Sequence, residues 1–218
     1  MRTVKRATRP LNSTKKRMLN ALAAAYAKEK QYWLNLLKGK MYQALLGLPR
    51  AIRDEAVKNS YQSPHGLQAR HWKLCLQDAV ETWDKYWQAI FVQLRQRIGK
   101  NYANEAERHY AYWLLKGYSQ FSAVMIGKVP PPTFEIDPKS KQQICSYIRR
   151  TVKRLKGSAP KVKMNRIVKF DDNCYELVEK NGKQYLKVMT LVPRKRLTIP
   201  LLGHTKIKGN IALIITQT

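Results

Sequence analysis

The sequence predicts an α+β fold in which a helical bundle is inserted into a small antiparallel, oligonucleotide-binding-like β-barrel. Three observations carry this expectation. Apolar stripes at helical spacing fill residues 13–156, and after Gly157 the texture changes to period two, with β-branched runs between turn residues. The 42 Lys and Arg outnumber the 14 Asp and Glu over 218 residues, with the excess gathered at both ends.

The first element is a short strand over Thr3 to Thr8, where β-branched and basic residues alternate ahead of Pro10. A long amphipathic helix follows from Ser13 to Leu37. Leu19, Leu22, Ala23, Tyr26, Trp33 and Leu37 form its stripe, Ser13 is available as N-cap, and Gly39 lies just past the end. A second helix is expected after Ser63-Pro64, with Leu76, Val80, Trp83, Trp87, Phe91, Leu94 and Ile98 at steps of three or four up to Gly99. A third runs from Asn104 to about Met125 despite Gly117, ended by Pro130-Pro131-Pro132. A fourth runs from Pro138 to Lys156, burying Ile144, Ile148, Val152 and Leu155.

Strands are expected at Arg166–Phe170, Cys174–Val178, Gln184–Thr190, Arg196–Leu201, Thr205–Lys208 and Ile211–Ile215. Asn181-Gly182 is the hairpin turn between the second and third. The N-terminal strand would complete the barrel. The division is therefore residues 1–12 as first barrel strand, 13–156 as helical domain and 157–218 as barrel. The apolar terminal strand is expected either internal to the barrel or at an edge where a larger architecture would continue or a partner would dock.

Composition excludes several classes. Content of 44% hydrophobic residues, with five Trp and twelve Tyr, supports real cores, so this is no disordered basic tail. Cys75, Cys145 and Cys174 are odd in number and lack CxxC spacing, which argues against a disulfide framework or a structural zinc site and fits a reducing cytoplasm. No segment approaches the roughly 18 apolar residues of a membrane span. The basic residues do not oppose one continuous apolar helix face, which disfavours a membrane-surface helix.

Catalytic motifs are missing. His65, His71, His109 and His204 are scattered, with no metal-binding pair. Asp171-Asp172 belongs to a strand end or turn, and Asp78, Glu81 and Asp84 follow a helix face beside basic residues, where ion pairing is the better reading than a two-metal centre. There is no phosphate-binding glycine loop, GxSxG or kinase set. No catalytic residue, metal site or cofactor is expected.

What remains is charge. Met1 to Arg17 carries Arg2, Lys5, Arg6, Arg9, Lys15, Lys16 and Arg17 with no acid, and Thr151 to Thr218 carries fifteen basic residues against four acids. Arg149, Arg150, Lys153, Arg154, Lys156, Lys161, Lys163 and Arg166 form a nearly unbroken cationic path, and Arg194-Lys195-Arg196 returns to the same region, with Lys206 and Lys208 beyond it. Phosphate backbones reward such clustering through counterion release. Trp33, Trp83, Trp87, Phe91 and Trp113 lie on apolar stripes and are expected in the core, leaving Trp72, Tyr147 and His204 as candidates for base or sugar contact.

The order of parts, closing on Leu197-Thr198-Ile199-Pro200-Leu201-Leu202-Gly203-His204-Thr205, Ile207-Lys208-Gly209-Asn210-Ile211 and an apolar strand, resembles the N-terminal half of the transposon-encoded TnpB proteins and the related type V CRISPR effectors. Leu67-x-Ala69-Arg70 and the Trp83 region add loose motif support. The resemblance implies a wedge-type barrel and a recognition-type helical domain that hold a guide RNA and its pairing with target double-stranded DNA. Arg2, Lys5, Arg6 and the path from Arg149 to Arg166 would contact RNA backbone; Lys58, Arg70 and Lys73 would face DNA or heteroduplex. The family's RuvC-type nuclease domain has no counterpart in these residues, so cleavage would need a RuvC-bearing partner or a longer chain. The expectation is a non-catalytic, RNA-guided binding module in a cytoplasmic ribonucleoprotein. The alternatives are a general structural RNA-binding protein of ribosomal or intron-associated type, and a nuclease or transposase with unrecognised catalytic residues.

Overall fold

A computed structural model describes residues 5–38, 49–163, 166–204, 206 and 209–216. These residues form an α+β fold of six helices and two small antiparallel sheets. The helices are α1 (Ser13–Leu37), α2 (Pro49–Lys58), α3 (Ala69–Asn101), α4 (Glu105–Lys116), α5 (Tyr118–Met125) and α6 (Pro138–Leu155). The strands are β1 (Ile167–Phe170), β2 (Tyr175–Lys180), β3 (Lys183–Met189), β4 (Arg196–Pro200) and β5 (Ile211–Ile214).

α1 has its expected bounds, but its cap is one residue earlier. Asn12 Oδ1 accepts from the Lys15 backbone N–H at 2.9 Å, and Ser13 is already helical. Gly39 lies outside the described residues. α2 adds a helix that long apolar stripes do not announce, since among its described side chains only Ile52 and Ala56 are buried. α3 begins at Ala69, not at Ser63-Pro64. Ser63 Oγ accepts from the backbone N–H groups of His65 and Leu67 at 3.2 and 3.1 Å, which fixes a turn in place of a helix start. Gly99 sits inside α3, which continues to Asn101. All seven expected stripe residues of α3 are buried.

Gly117 divides the expected third helix. Its φ of −124° and ψ of 143° are extended, so α4 stops and α5 starts on either side of it. Asn104 caps α4 by accepting from the N–H groups of Ala106 and Glu107, and Glu105 and Glu107 favour the same end of the helix dipole. Asp137 caps α6, where Pro138 occupies the first turn. Ile144, Ile148 and Val152 are fully buried and Leu155 is half-buried. α4, α5 and α6 pack on one another.

β2, β3 and β4 form one sheet in that order. Leu186 pairs with Leu177 on one side and Ile199 on the other. Asn181 and Gly182, with φ of 51° and 63°, make the expected tight hairpin turn, whose two left-handed positions match the strand twist. β1 and β5 form the other sheet, with Phe170 opposite Ile211 and Ile167 opposite Ile214. The N-terminal segment joins the first sheet through a single bridge, Thr8 to Leu201, flanked by Arg9 N–H to Pro200 O at 3.0 Å and Leu202 N–H to Ala7 O at 2.9 Å. Thr3 and Val4 lie outside the described residues, as do Thr205, Ile207 and Lys208 of the expected fifth strand. Among the described residues the two sheets stay open and share no ladder, so a closed barrel is not formed.

The contacts divide the chain into two compact units. One comprises residues 1–33, 55–79 and 162–218; the other comprises 34–54 and 80–161. α1, α2 and α3 each contribute to both. The first unit buries Leu22, Tyr26, Trp33, Trp72, Leu76, Val168, Phe170, Val188 and Ile199, and the second buries Leu94, Ile98, Tyr110, Leu114, Ile144 and Ile148. No described helix is long and apolar enough to cross a membrane.

Candidate nucleic-acid interface

In the second unit the strongest cationic feature is α6. The helix contains six basic residues and no acid. Burial of Ile144, Cys145, Ile148 and Val152 at steps of three and four forces Arg150, Lys153 and Arg154 onto the exposed face. Lys153 and Arg154 sit in the last turn, where the helix dipole favours cations. Among the described residues none of these three meets a carboxylate, and Lys161 is likewise exposed and unpaired. Arg149 is half-buried, with one terminal nitrogen 3.5 Å from Ser146 Oγ. Lys156 rests its ammonium 5.6 Å from the centre of the Trp87 ring.

In the first unit the expected cations stand on several segments. Lys5, Arg6 and Arg9 are exposed on the strand-like N-terminal segment, and Lys16 and Arg17 are exposed on the first turns of α1, with Lys15 half-buried beside them. Lys163 is exposed and Arg166 half-buried before β1. Arg194, Lys195 and Arg196 are exposed in and after the β3–β4 loop, whose shape is held from within: Thr190 Oγ1 donates to Lys195 O at 2.9 Å, and Gln68 Nε2 donates to Thr190 O at 2.6 Å. Arg194 takes φ of 61°, the left-handed region that costs a residue with a Cβ free energy. Arg196 donates to Asn173 O at 3.4 Å, and Lys58 and Lys206 are exposed. Arg2 and Lys208 lie outside the described residues. The path from Arg149 to Arg166 thus belongs to two units, parting between Lys161 and Val162.

Two further cations of the expected set are engaged. Arg70 Nε lies 2.6 Å from Asp171 Oδ2, and Lys73 lies over the Trp72 ring at 5.6 Å. Trp72 itself corrects an expectation. It is buried to 3% exposure, between Trp33 at 6.1 Å and Tyr61 at 5.0 Å, and offers no open face to a base. Tyr147 is half-buried, bonded through its hydroxyl to the Asn101 amide and edge-on to Tyr102. His204 is exposed, with Nε2 at 3.1 Å from Gly182 O. Of the core aromatics, Trp33, Trp83, Trp87 and Phe91 are buried as expected and Trp113 is half-buried.

The polar interior of the first unit is what motif reading misses. Glu29 is fully buried and accepts from Tyr61 Oη and Ser63 Oγ, each at 2.6 Å. Asp78 is shared by Lys30 at 2.9 Å and Lys169 at 2.5 Å, joining α1, α3 and β1 through one carboxylate. His71 is fully buried, edge-on to Phe170 at 5.4 Å, and among the described residues neither ring nitrogen has a hydrogen-bond partner. Burial lowers its pKa to about 4, against the opposing pull of Asp171. Burial also presses Asp171 upward, but hydrogen bonds from Cys174 and Arg70 outweigh it and hold the carboxyl below its usual range. Cys174 is pushed up to about 12 by burial and by that same carboxylate, which leaves a protonated, unreactive thiol. Among the described residues no group of three or more His, Cys, Asp or Glu is placed to hold a metal ion.

Comparison with protein-family models, with curated proteins and with solved structures finds no match to this chain.

Proposed function

We propose that the protein is an RNA-binding module that holds a structured guide RNA and supports recognition of target double-stranded DNA, with any cleavage supplied by a RuvC-bearing partner or a longer chain. The observation that carries this reading is the exposed cationic face of α6, which meets no carboxylate among the described residues, repeated in kind at the N-terminal segment and the β3–β4 loop. Surface cations of a protein that meets no polyanion are commonly balanced by nearby acids; here the formal charge is +28. Backbone phosphates match that surface, and base pairing, not protein side chains, would then read sequence. The guide-RNA and TnpB-like part of the proposal rests on the order of parts in the sequence. Within it we read the two open sheets and the N-terminal segment as a small wedge-type barrel, and place the ribonucleoprotein in the cytoplasm.

Purification from the native host under gentle salt, followed by sequencing of the bound RNA and identification of bound protein, tests the proposal. One dominant structured RNA with a variable end matching DNA targets is expected. Ribosomal RNA or a random mixture would replace the guided reading with that of a general RNA-binding protein, and an RNA-free preparation would overturn both.

A further inference from the structure

The outward face of the β2–β3–β4 sheet has a composition that its position alone does not require. Leu186 and Val188 of β3 are buried, so strand alternation places Lys183, Tyr185, Lys187 and Met189 on the opposite face. Register completes the rows: Val178, Tyr185 and Pro200 lie side by side across the three strands, and Glu176, Lys187 and Thr198 form the next row. Tyr185 is half-buried, and no hydrogen-bond partner of its hydroxyl is found among the described residues. Cations ring it. Lys183 and Lys187 stand two residues to either side, about 7 Å along the strand. Lys180 pairs with Lys183, and Arg196 lies opposite Met189. The one acid of the face, Glu176, is a loose 3.9 Å from Lys187.

We propose that this sheet face binds a single-stranded RNA segment, with Tyr185 as the stacking platform and Lys183, Lys187 and Arg196 on the flanking phosphates. The inference rests on the RNA-binding reading above and adds a site and a strand type to it. Charge complementarity selects a polyanion, and the ring at the centre of the face selects one with open planar groups. A duplex keeps its bases stacked on each other and has none to offer, whereas a single strand stacks its bases on exposed aromatic side chains. Of the aromatics the sequence suggested for this role, Trp72 is spent in the core; alternation turns the half-buried Tyr185 to the outward face of the sheet. Thr198, in the row beside it, supplies a hydroxyl that can bond a ribose 2′-hydroxyl, the group that separates RNA from DNA.

The test uses the full chain, a labelled short oligouridine, the same length of oligodeoxythymidine, and an RNA duplex. Tyr185→Ala is expected to weaken oligouridine binding roughly five- to hundred-fold, the effect of losing one stacked base, while Tyr185→Phe stays near wild type and duplex binding does not move. Photocrosslinking of iodouracil-substituted RNA to the unmodified protein is expected on residues 183–189, which decides the matter should Tyr185→Ala fail to fold. Equal oligouridine affinity of wild type and Tyr185→Ala, or crosslinks that map elsewhere, would overturn the site and leave the RNA-binding proposal standing. Deoxy strands bound as tightly as ribose strands would overturn the choice of RNA. No affinity of the wild type for any RNA would overturn the reading beneath it.

Discussion

Acidification should destabilise the first compact unit through one residue. His71 is fully buried, has no hydrogen-bond partner on either nitrogen among the described residues, and holds a pKa of about 4 against an ordinary 6.5. The unfolded chain therefore binds a proton that the folded chain refuses throughout that interval. Stability is complete above the unfolded value, falls as pH drops through the interval, and reaches its full loss near the folded value. The gap from 6.5 to about 4, at about 1.36 kcal/mol per pKa unit, corresponds to about 3 kcal/mol. The charged groups at this point are Asp171 and its partner Arg70; Asp171 is held below its usual range, so its own contribution is lost only under more acid conditions. The assay is urea unfolding followed by tryptophan fluorescence, which Trp33 and Trp72 report from within the same unit, at a series of pH values from about 7.5 to about 4.5. Wild type should lose about 2–3 kcal/mol over that range beyond the loss of His71→Leu, a midpoint difference of about 1 M at an ordinary urea slope. Parallel profiles for wild type and His71→Leu would refute the reasoning, because they would show that burial of this imidazole has no protonation cost.

Other expectations follow from particular contacts. Glu29→Ala strands the hydroxyls of Tyr61 and Ser63 in the interior and should cost about 2–3 kcal/mol, whereas Glu29→Gln, which keeps an acceptor, should cost less; chemical denaturation distinguishes them. Gly182→Ala places a side chain at φ of 63° in the hairpin turn and should lower stability by about 1–2 kcal/mol without altering fold, as read by circular dichroism and thermal unfolding. Substitution of Tyr185, described above, separates stacking from charge on the sheet face.

Much of this architecture is legible because helices and strands impose their periods on apolar residues. The bounds of α1, the seven-residue stripe of α3, the helix start at Asn104 and the Asn181-Gly182 turn all follow from local rules. The misses have local causes too. Ser63 resembles a cap, but its hydroxyl is spent on a turn and donates to Glu29, a partner 34 residues away that no window contains. Gly117 reads as a tolerated interruption, yet its extended backbone ends one helix and begins another. Trp72 is excluded from stacking by Trp33 and Tyr61, a cluster assembled only by tertiary packing. Tyr185 was within reach of alternation, since Leu186 and Val188 mark the core face of β3. The charge of α6 was readable, because its acid-free composition needs no tertiary information.

The central claim is that exposed cations bind RNA backbone, and the salt dependence of affinity tests it most directly. The chain is titrated with a structured RNA at several salt concentrations, alongside a variant carrying Arg149→Gln, Arg150→Gln, Lys153→Gln and Arg154→Gln. Each lost phosphate contact lowers the slope of log affinity against log salt by about 0.9, so the account predicts weaker binding and a slope shallower by about 2–4. An unchanged affinity and slope would remove α6 from the interface, and a wild-type affinity insensitive to salt would contradict the account as a whole.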